Sequence, residues 1–147
     1  MASTRKGNRP GIRRVGRTLA FQVLYSMHFR ETGGMDMETL FSTNPLVLEQ
    51  GSETAHDFAL DLVMGVDAHL AEVDKAIEAH SQHWKIERIA MVELSILRLS
   101  LYEMMFTDIP VKAAINEAIE LSKTFGDDKS RSFVNGILDG VAKTLKK

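Results

Sequence analysis

The sequence predicts an all-α protein of about seven helices arranged in an N-terminal and a C-terminal helical bundle. Only 3 of its 147 residues are proline and 7% are aromatic, while alanine, leucine, methionine, glutamate and lysine are common. That composition favours helices over sheets. Apolar residues also recur every three or four positions along much of the chain, which is the helical period. The length is that of one ordinary domain.

The first helix is expected to begin near Ile12, because Pro10 and Gly11 break any earlier helix. Its apolar face would consist of Val15, Leu19, Val23 and Met27, and the Gly33-Gly34 pair would stop it. Residues 1–11 combine glycine, proline and charge with too little apolar surface to bury. We therefore expect a flexible basic arm over 1–11, followed by a single helical domain over 12–147.

The middle of the chain predicts three further segments. Residues 36–50 are expected to form a short helix followed by a loop at Asn44-Pro45, and Ser52 has the sequence context of a helix cap. The helix after Ser52 would run from about Glu53 to His80, with a break near Gly65. Residues 86–106 are apolar on nearly all sides, so other helices must surround them. We expect this segment to be a central helix shared by the two bundles.

The last two helices are marked by their ends. Proline is well tolerated at a helix start, and glycine is a common cap at a helix end. Pro110 is therefore expected to open one helix and Gly126 to close it. The final helix would begin within residues 127–130.

The net charge of −2 hides a strong segregation of charge along the chain. Residues 1–17 hold six arginines and lysines and no acid, whereas residues 31–78 hold eleven acids against the single base Lys75. This pattern indicates partners of opposite charge, or one polyanion held away from an acidic flank. The alternative is a solvated tail followed by a solvated acidic face.

The basic segment fits phosphate chemistry. Arginine offers a planar fork of donors that can hold a phosphate with two hydrogen bonds and can stack on unpaired bases. The charge alone does not separate RNA from DNA or from anionic lipid. The apolar residues after the arginines have the spacing of a core-facing helix, which favours a nucleic acid over a membrane surface.

No catalytic or metal-binding motif is found. The phosphate-loop, dinucleotide-binding, zinc-protease and serine-hydrolase signatures are absent, and zero cysteines exclude disulfides and thiolate sites. His80 and His83 are spaced to share a helix face, but no third ligand has a matching spacing. We expect neither an enzyme nor a cofactor. The sequence also has no apolar run long enough for a membrane span, and its first residues lack the apolar stretch of a secretory signal. A soluble, cytoplasmic protein is therefore expected.

Five strings taken together resemble one protein family. They are Arg13-Arg14 with Arg17 and the Ala-Phe-Gln-Val-Leu-Tyr of residues 20–25; Phe58 with Leu-Val-Met-Gly-Val at 62–66; Glu-Leu-Ser-Ile-Leu-Arg-Leu-Ser-Leu-Tyr-Glu at 93–103; Pro110 with Ala-Ala-Ile-Asn-Glu-Ala at 113–118; and Phe-Val-Asn-Gly-Ile-Leu-Asp at 133–139. The combination, which runs from about residue 13 to residue 141, resembles the NusB family of transcription antitermination factors.

The resemblance implies a non-catalytic, all-helical bacterial protein. Such factors bind the boxA element of nascent ribosomal RNA transcripts together with the small-subunit ribosomal protein NusE, and help RNA polymerase pass terminators. The runner-up is a free-standing RNA-binding or structural module of ribosome assembly. A catalytic RNA-modifying enzyme would need a nucleophile or cofactor loop that the sequence lacks.

The resemblance also implies site residues. Arg13, Arg14 and Arg17 match the family's arginine-rich RNA-binding segment, and Arg9 of the arm adds to its charge. Arg98, Lys129 and Phe133 match further positions near the RNA face. Tyr25 and Glu93 match positions that meet the ribosomal protein.

Three of these assignments carry alternatives. Arg98 either pairs with a carboxylate such as Glu103 or lies at a groove reached by RNA, because an unpaired buried guanidinium is costly. Phe133 either stacks on a base or packs in the core. Lys129 replaces an acidic residue that the family often has there, which leaves the RNA and partner preference of that loop open.

Overall fold

The structure is a computed structural model that describes residues 11–30, 33–50, 52–82 and 85–145. Within these ranges the chain forms eight α-helices and no strand. The helices are α1 (Ile12–Ser26), α2 (Met37–Ser42), α3 (Pro45–Glu49), α4 (Glu53–Ala68), α5 (Leu70–His80), α6 (Met91–Phe106), α7 (Val111–Phe125) and α8 (Asp128–Ala142). Single 3₁₀ turns span Met27–Phe29 and Ile86–Arg88. The all-α prediction is confirmed, and no described helix is long and apolar enough to cross a membrane.

The described residues separate into two compact units at Met64, inside α4. The first unit contains α1, α2, α3 and most of α4. The second unit contains the end of α4 and helices α5 to α8.

The first unit is built around the apolar face of α1, on which Leu19, Ala20, Phe21 and Val23 are buried. The helix begins at Ile12, as predicted, but ends at Ser26, well before the Gly33-Gly34 pair. Leu40 and Phe41 of α2 are also buried in the core.

Asn44 begins a helix where the sequence predicted a loop. Its side-chain oxygen accepts a hydrogen bond from the Leu46 amide at 2.9 Å, and Pro45 occupies the first turn of α3. The Asn44 side-chain nitrogen also donates to the Ser26 hydroxyl at 3.0 Å. An asparagine cap followed by proline is a helix-start signal, so the Asn44-Pro45 pair splits residues 36–50 into α2 and α3. This split accounts for an eighth helix.

The predicted long helix over 53–80 is divided, but not at Gly65. The Ser52 hydroxyl caps α4 by accepting from the Ala55 amide at 3.2 Å, as predicted. The helix continues past Gly65 to Ala68, and His69 separates it from α5. A β-carbon at residue 65 would overlap the Tyr102 ring. Gly65 therefore permits close packing on α6 and is not a helix break.

The second unit packs α5, α7 and α8 against α6. Side chains on several sides of α6 are buried, including Leu94, Ile96, Leu97, Leu99 and Leu101. This confirms the expectation that other helices surround the segment. The facing residues of α7 and α8 include Ala114, Ala118, Val134 and Leu138.

Asp127 fixes the start of α8 by accepting a hydrogen bond from the Ser130 amide at 2.8 Å. This bond to the charged carboxylate lowers the pKa of Asp127. Gly126 ends α7, as predicted, but with an extended backbone (φ −121°) that any residue can adopt. A β-carbon on Gly126 would lie 2.8 Å from Ser130 Cβ, so close packing is what requires glycine here.

Candidate RNA-binding surface

The first turns of α1 present the arginine segment in two different environments. Arg13 and Arg14 are exposed, whereas Arg17 is only 7% exposed. No acidic residue lies in the first turn of the helix. Because of their exposure, Arg13 and Arg14 are the arginines of this segment whose side chains lie at the surface.

Arg13 and Arg17 are one helical turn apart and both approach the ring of Phe58 on α4. The guanidinium carbon lies 6.0 Å from the ring centroid for Arg13 and 5.5 Å for Arg17. A cation at this distance over an aromatic face is attracted by the electron-rich ring. The residue-by-residue reading of the sequence did not assign Phe58 to the RNA site.

Gly16 allows this approach. A β-carbon on Gly16 would lie 2.7 Å from Phe58 Cδ2 and 3.0 Å from the Ala55 carbonyl oxygen. The backbone of α1 thus runs close to α4 at this point. A glycine between arginines inside a predicted helix was the available sequence signal for such a close approach.

Arg98 is paired inside the second unit. Its Nε and one terminal nitrogen donate to the two carboxylate oxygens of Asp74, each at 2.9 Å, and the two side chains are 19% and 23% exposed. The carboxylate is on α5, whereas the sequence suggested Glu103. Glu103 is five residues further along α6, which places it about 140° around the helix axis from Arg98.

The other RNA-binding candidates of the second unit lie at the start of α8. Lys129 is exposed in the first turn and Phe133 is half-buried one turn later, so the two residues share a helix face. Val134, next to Phe133, is fully buried in the core.

The two partner-binding candidates belong to different units. Tyr25 is half-buried near the end of α1, where its ring packs against Phe21 at 6.1 Å and meets the edge of Phe29 at 5.2 Å between centroids. Phe29 is 64% exposed. Glu93 is half-buried in the first turn of α6. Arg9 lies outside the described residues.

No group of three or more histidine, aspartate or glutamate side chains suited to a metal ion occurs in residues 11–30, 33–50, 52–82 and 85–145. His80 donates from Nδ1 to the Ala76 carbonyl oxygen at 3.1 Å, and its ring packs at Gly140. His83, its suggested companion, lies outside the described ranges. The hydrogen bond and the packing against α8 account for the position of the His80 ring.

A sequence profile of the NusB family matches residues 14–143 of the chain. The chain belongs to the NusB family. It is 47% identical over 145 residues to the transcription antitermination protein NusB of Oleidesulfovibrio alaskensis, a match that covers 96% of this chain and 93% of that protein. It is 46% identical over 136 residues to NusB of Geobacter sulfurreducens, covering 92% and 96%. The resemblance carried by the five strings is thus confirmed.

Solved NusB structures share the fold. NusB of T. maritima superposes with a TM-score of 0.79 at 34% identity, covering 92% of both chains. A crystal structure of the antitermination factors NusB and NusE in complex with double-stranded RNA superposes with a TM-score of 0.78 at 31% identity, covering 91% of this chain and 98% of the other. The described part of this NusB-family chain therefore has the family fold over nearly its whole length.

Proposed function

We propose that this protein is a non-catalytic transcription antitermination factor that binds the boxA element of nascent ribosomal RNA together with the ribosomal protein NusE. It acts in the antitermination complex with RNA polymerase, in the bacterial cytoplasm. Family membership over residues 14–143 supports the general role, as does the name shared by its relatives.

One observation carries the RNA-binding part of the proposal: Arg13 and Arg14 lie exposed at the start of α1, with no acidic residue in that turn. They continue the basic arm, in which Arg5, Lys6 and Arg9 precede the helix. Arginines of this kind contact phosphates whatever the base sequence. We assign the arm and the first turn of α1 to the electrostatic part of the site. A single helical domain over residues 12–147 carries this part of the site.

The sign of the charge elsewhere supports a basic protein partner. Residues 31–78 carry eleven acids against one lysine. Asp57 and Asp61 are exposed one turn apart on α4, and Glu72 and Glu78 are exposed on α5. A basic ribosomal protein complements such surfaces in charge. Tyr25 and Glu93 are the contact residues we assign to it.

The form of the RNA is a separate part of the proposal. Single-stranded boxA RNA offers unpaired bases for stacking, with Phe133 beside Lys129 as the candidate aromatic residue. A related NusB was crystallised with double-stranded RNA. Phosphate contacts by Arg13 and Arg14 serve either form, so both forms belong in the test.

The deciding experiment titrates the protein with labelled boxA RNA, a scrambled RNA of equal length and a duplex, each with and without NusE, by fluorescence anisotropy. We expect a modest preference for boxA by the protein alone and a stronger one with NusE, because an arm of charges reads the backbone better than the bases. Equal affinities for boxA and scrambled RNA in both settings would instead indicate a general RNA-binding module of ribosome assembly. Tighter binding to the duplex would overturn the single-stranded assignment.

The salt dependence tests the arginines themselves. Contact with four to six phosphates predicts a slope of about −3 to −4 for log affinity against log salt, and each lost phosphate contact makes it shallower by about 0.7. Arg13→Ala/Arg14→Ala should therefore flatten the slope by about 1.4. Lys123→Ala/Lys143→Ala is the matched control, since it removes two exposed cations from α7 and the end of α8. An equal effect of both double variants would place the RNA site elsewhere.

A further inference from the structure

Phe58 lies where the arginine segment of α1 meets α4. Its ring centroid is 5.5 Å from the guanidinium carbon of Arg17 and 6.0 Å from that of Arg13. We propose that Phe58 is a positioning residue for RNA binding, whose ring holds the Arg13 head group in one orientation at the surface. The inference rests on the proposed function, in which the start of α1 binds RNA.

The ring is itself held in place by the first unit. Arg17 is almost entirely buried and packs on it, and Gly16 brings the backbone of α1 so close that a β-carbon would lie 2.7 Å from Phe58 Cδ2. Phe58 is half-buried, whereas Arg13 is exposed. A ring held by the fold, with an exposed cation beside it, is the arrangement in which the ring restrains the cation.

The restraint leaves the binding chemistry of Arg13 intact. A guanidinium donates hydrogen bonds in its own plane, so attraction of its charge to a ring does not consume the N–H groups that bind phosphate oxygens. A long flexible side chain loses rotational freedom when it binds a ligand, and this loss is smaller if the side chain is already restrained in the free protein. The Phe58 ring should therefore raise RNA affinity without adding a phosphate contact.

This reasoning separates Phe58 from a charged contact residue by experiment. Phe58→Leu should weaken binding of boxA RNA by about two- to fivefold, the range of an exposed cation–aromatic contact. The slope of log affinity against log salt should stay unchanged, because no charge is removed. Phe58→Tyr, which keeps the ring, should restore the affinity. Each protein is used at a temperature at which circular dichroism shows it to be folded.

A double-mutant cycle between Phe58 and Arg13 supplies the readout that a merely structural role would not move. Arg13→Ala should reduce RNA affinity less in the Phe58→Leu background than in the wild type, because the restraint is already gone. Additive effects of the two substitutions would overturn the proposal. Phe58→Met also removes the ring and replaces Phe58→Leu if that variant does not fold.

One control variant and the Arg13→Ala result itself keep the two proposals apart. Phe41→Leu removes a ring from the core of the same unit, and its effect on RNA affinity should be additive with that of Arg13→Ala. Coupling of equal size at Phe41 would show a general loss of packing and overturn the role of Phe58.

If Arg13→Ala leaves RNA affinity unchanged in the wild type, the assignment of RNA to the start of α1 fails as well. If Arg13→Ala weakens binding but the cycle with Phe58 is additive, only the positioning role fails.

Discussion

Gly65 of α4 lies against the ring of Tyr102 on α6, so close that a methyl group at residue 65 would overlap the Cζ and Oη atoms. The Tyr102 ring stacks in turn with His69 and Phe106, at 5.9 Å and 6.2 Å between centroids. The contact fixes how the end of α4 packs within the second unit.

Gly65→Ala should lower the free energy of unfolding by about 1–3 kcal/mol, because the Tyr102 ring must leave its place in the stack. Chemical denaturation measures the loss. Gly136→Ala is the matched control: that glycine is exposed in the interior of α8 with nothing within 4 Å of an added β-carbon. The control should stabilise the protein by about 0.5–1 kcal/mol through helix propensity. A Gly65→Ala protein as stable as the control would contradict the packing role.

The Arg98–Asp74 pair should contribute to stability, since its two parallel hydrogen bonds lie in a partly buried position. Arg98→Ala and Asp74→Ala should each cost about 1–3 kcal/mol, and the double variant should cost less than their sum because neither charge is then left unpaired. Lys123→Ala, from the exposed pair with Glu120, should change stability by less than about 1 kcal/mol. A stable Arg98→Ala protein with weakened boxA RNA binding would instead indicate an RNA contact.

Asp127 should make stability depend on pH below about pH 4, near the ordinary pKa of aspartate. The hydrogen bond from the Ser130 amide lowers the pKa of Asp127 in the folded protein. A lowered pKa means that the stabilisation is present above the unfolded pKa and is lost as the pH falls through the folded one. Asp127→Asn keeps a capping oxygen but cannot titrate. The difference in unfolding free energy between wild type and Asp127→Asn should therefore change between about pH 4 and about pH 2. Equal pH profiles would show that this carboxylate does not contribute.

Ile96→Ala should remove buried methyl groups from the centre of α6 and lower the free energy of unfolding by about 2–5 kcal/mol. RNA affinity measured on the folded fraction should not change, because Ile96 is fully buried. A loss of affinity without a loss of stability would place Ile96 at the RNA site.

Much of the fold could be predicted from local patterns. Ile12 follows Pro10-Gly11 and begins α1, Ser52 caps α4 and Asp127 caps α8, because caps and breakers act through backbone groups within three or four residues. The all-helical class and the buried α6 follow from the spacing of apolar residues, which is also a local property. The arginine segment is likewise visible in the sequence, since charge is counted residue by residue.

The tertiary structure decided which residues meet across helices. Asp74 pairs with Arg98 although 24 residues separate them, Phe58 approaches Arg13 and Arg17 from another helix, and Gly65 packs against Tyr102 of α6. Each of these contacts depends on how two helices pack, and helical period alone does not specify the facing partner. The sequence by itself therefore determined the helices, their caps and the basic character of the start of α1. Only the packing of those helices decided that Arg17 is buried while Arg13 and Arg14 remain at the surface.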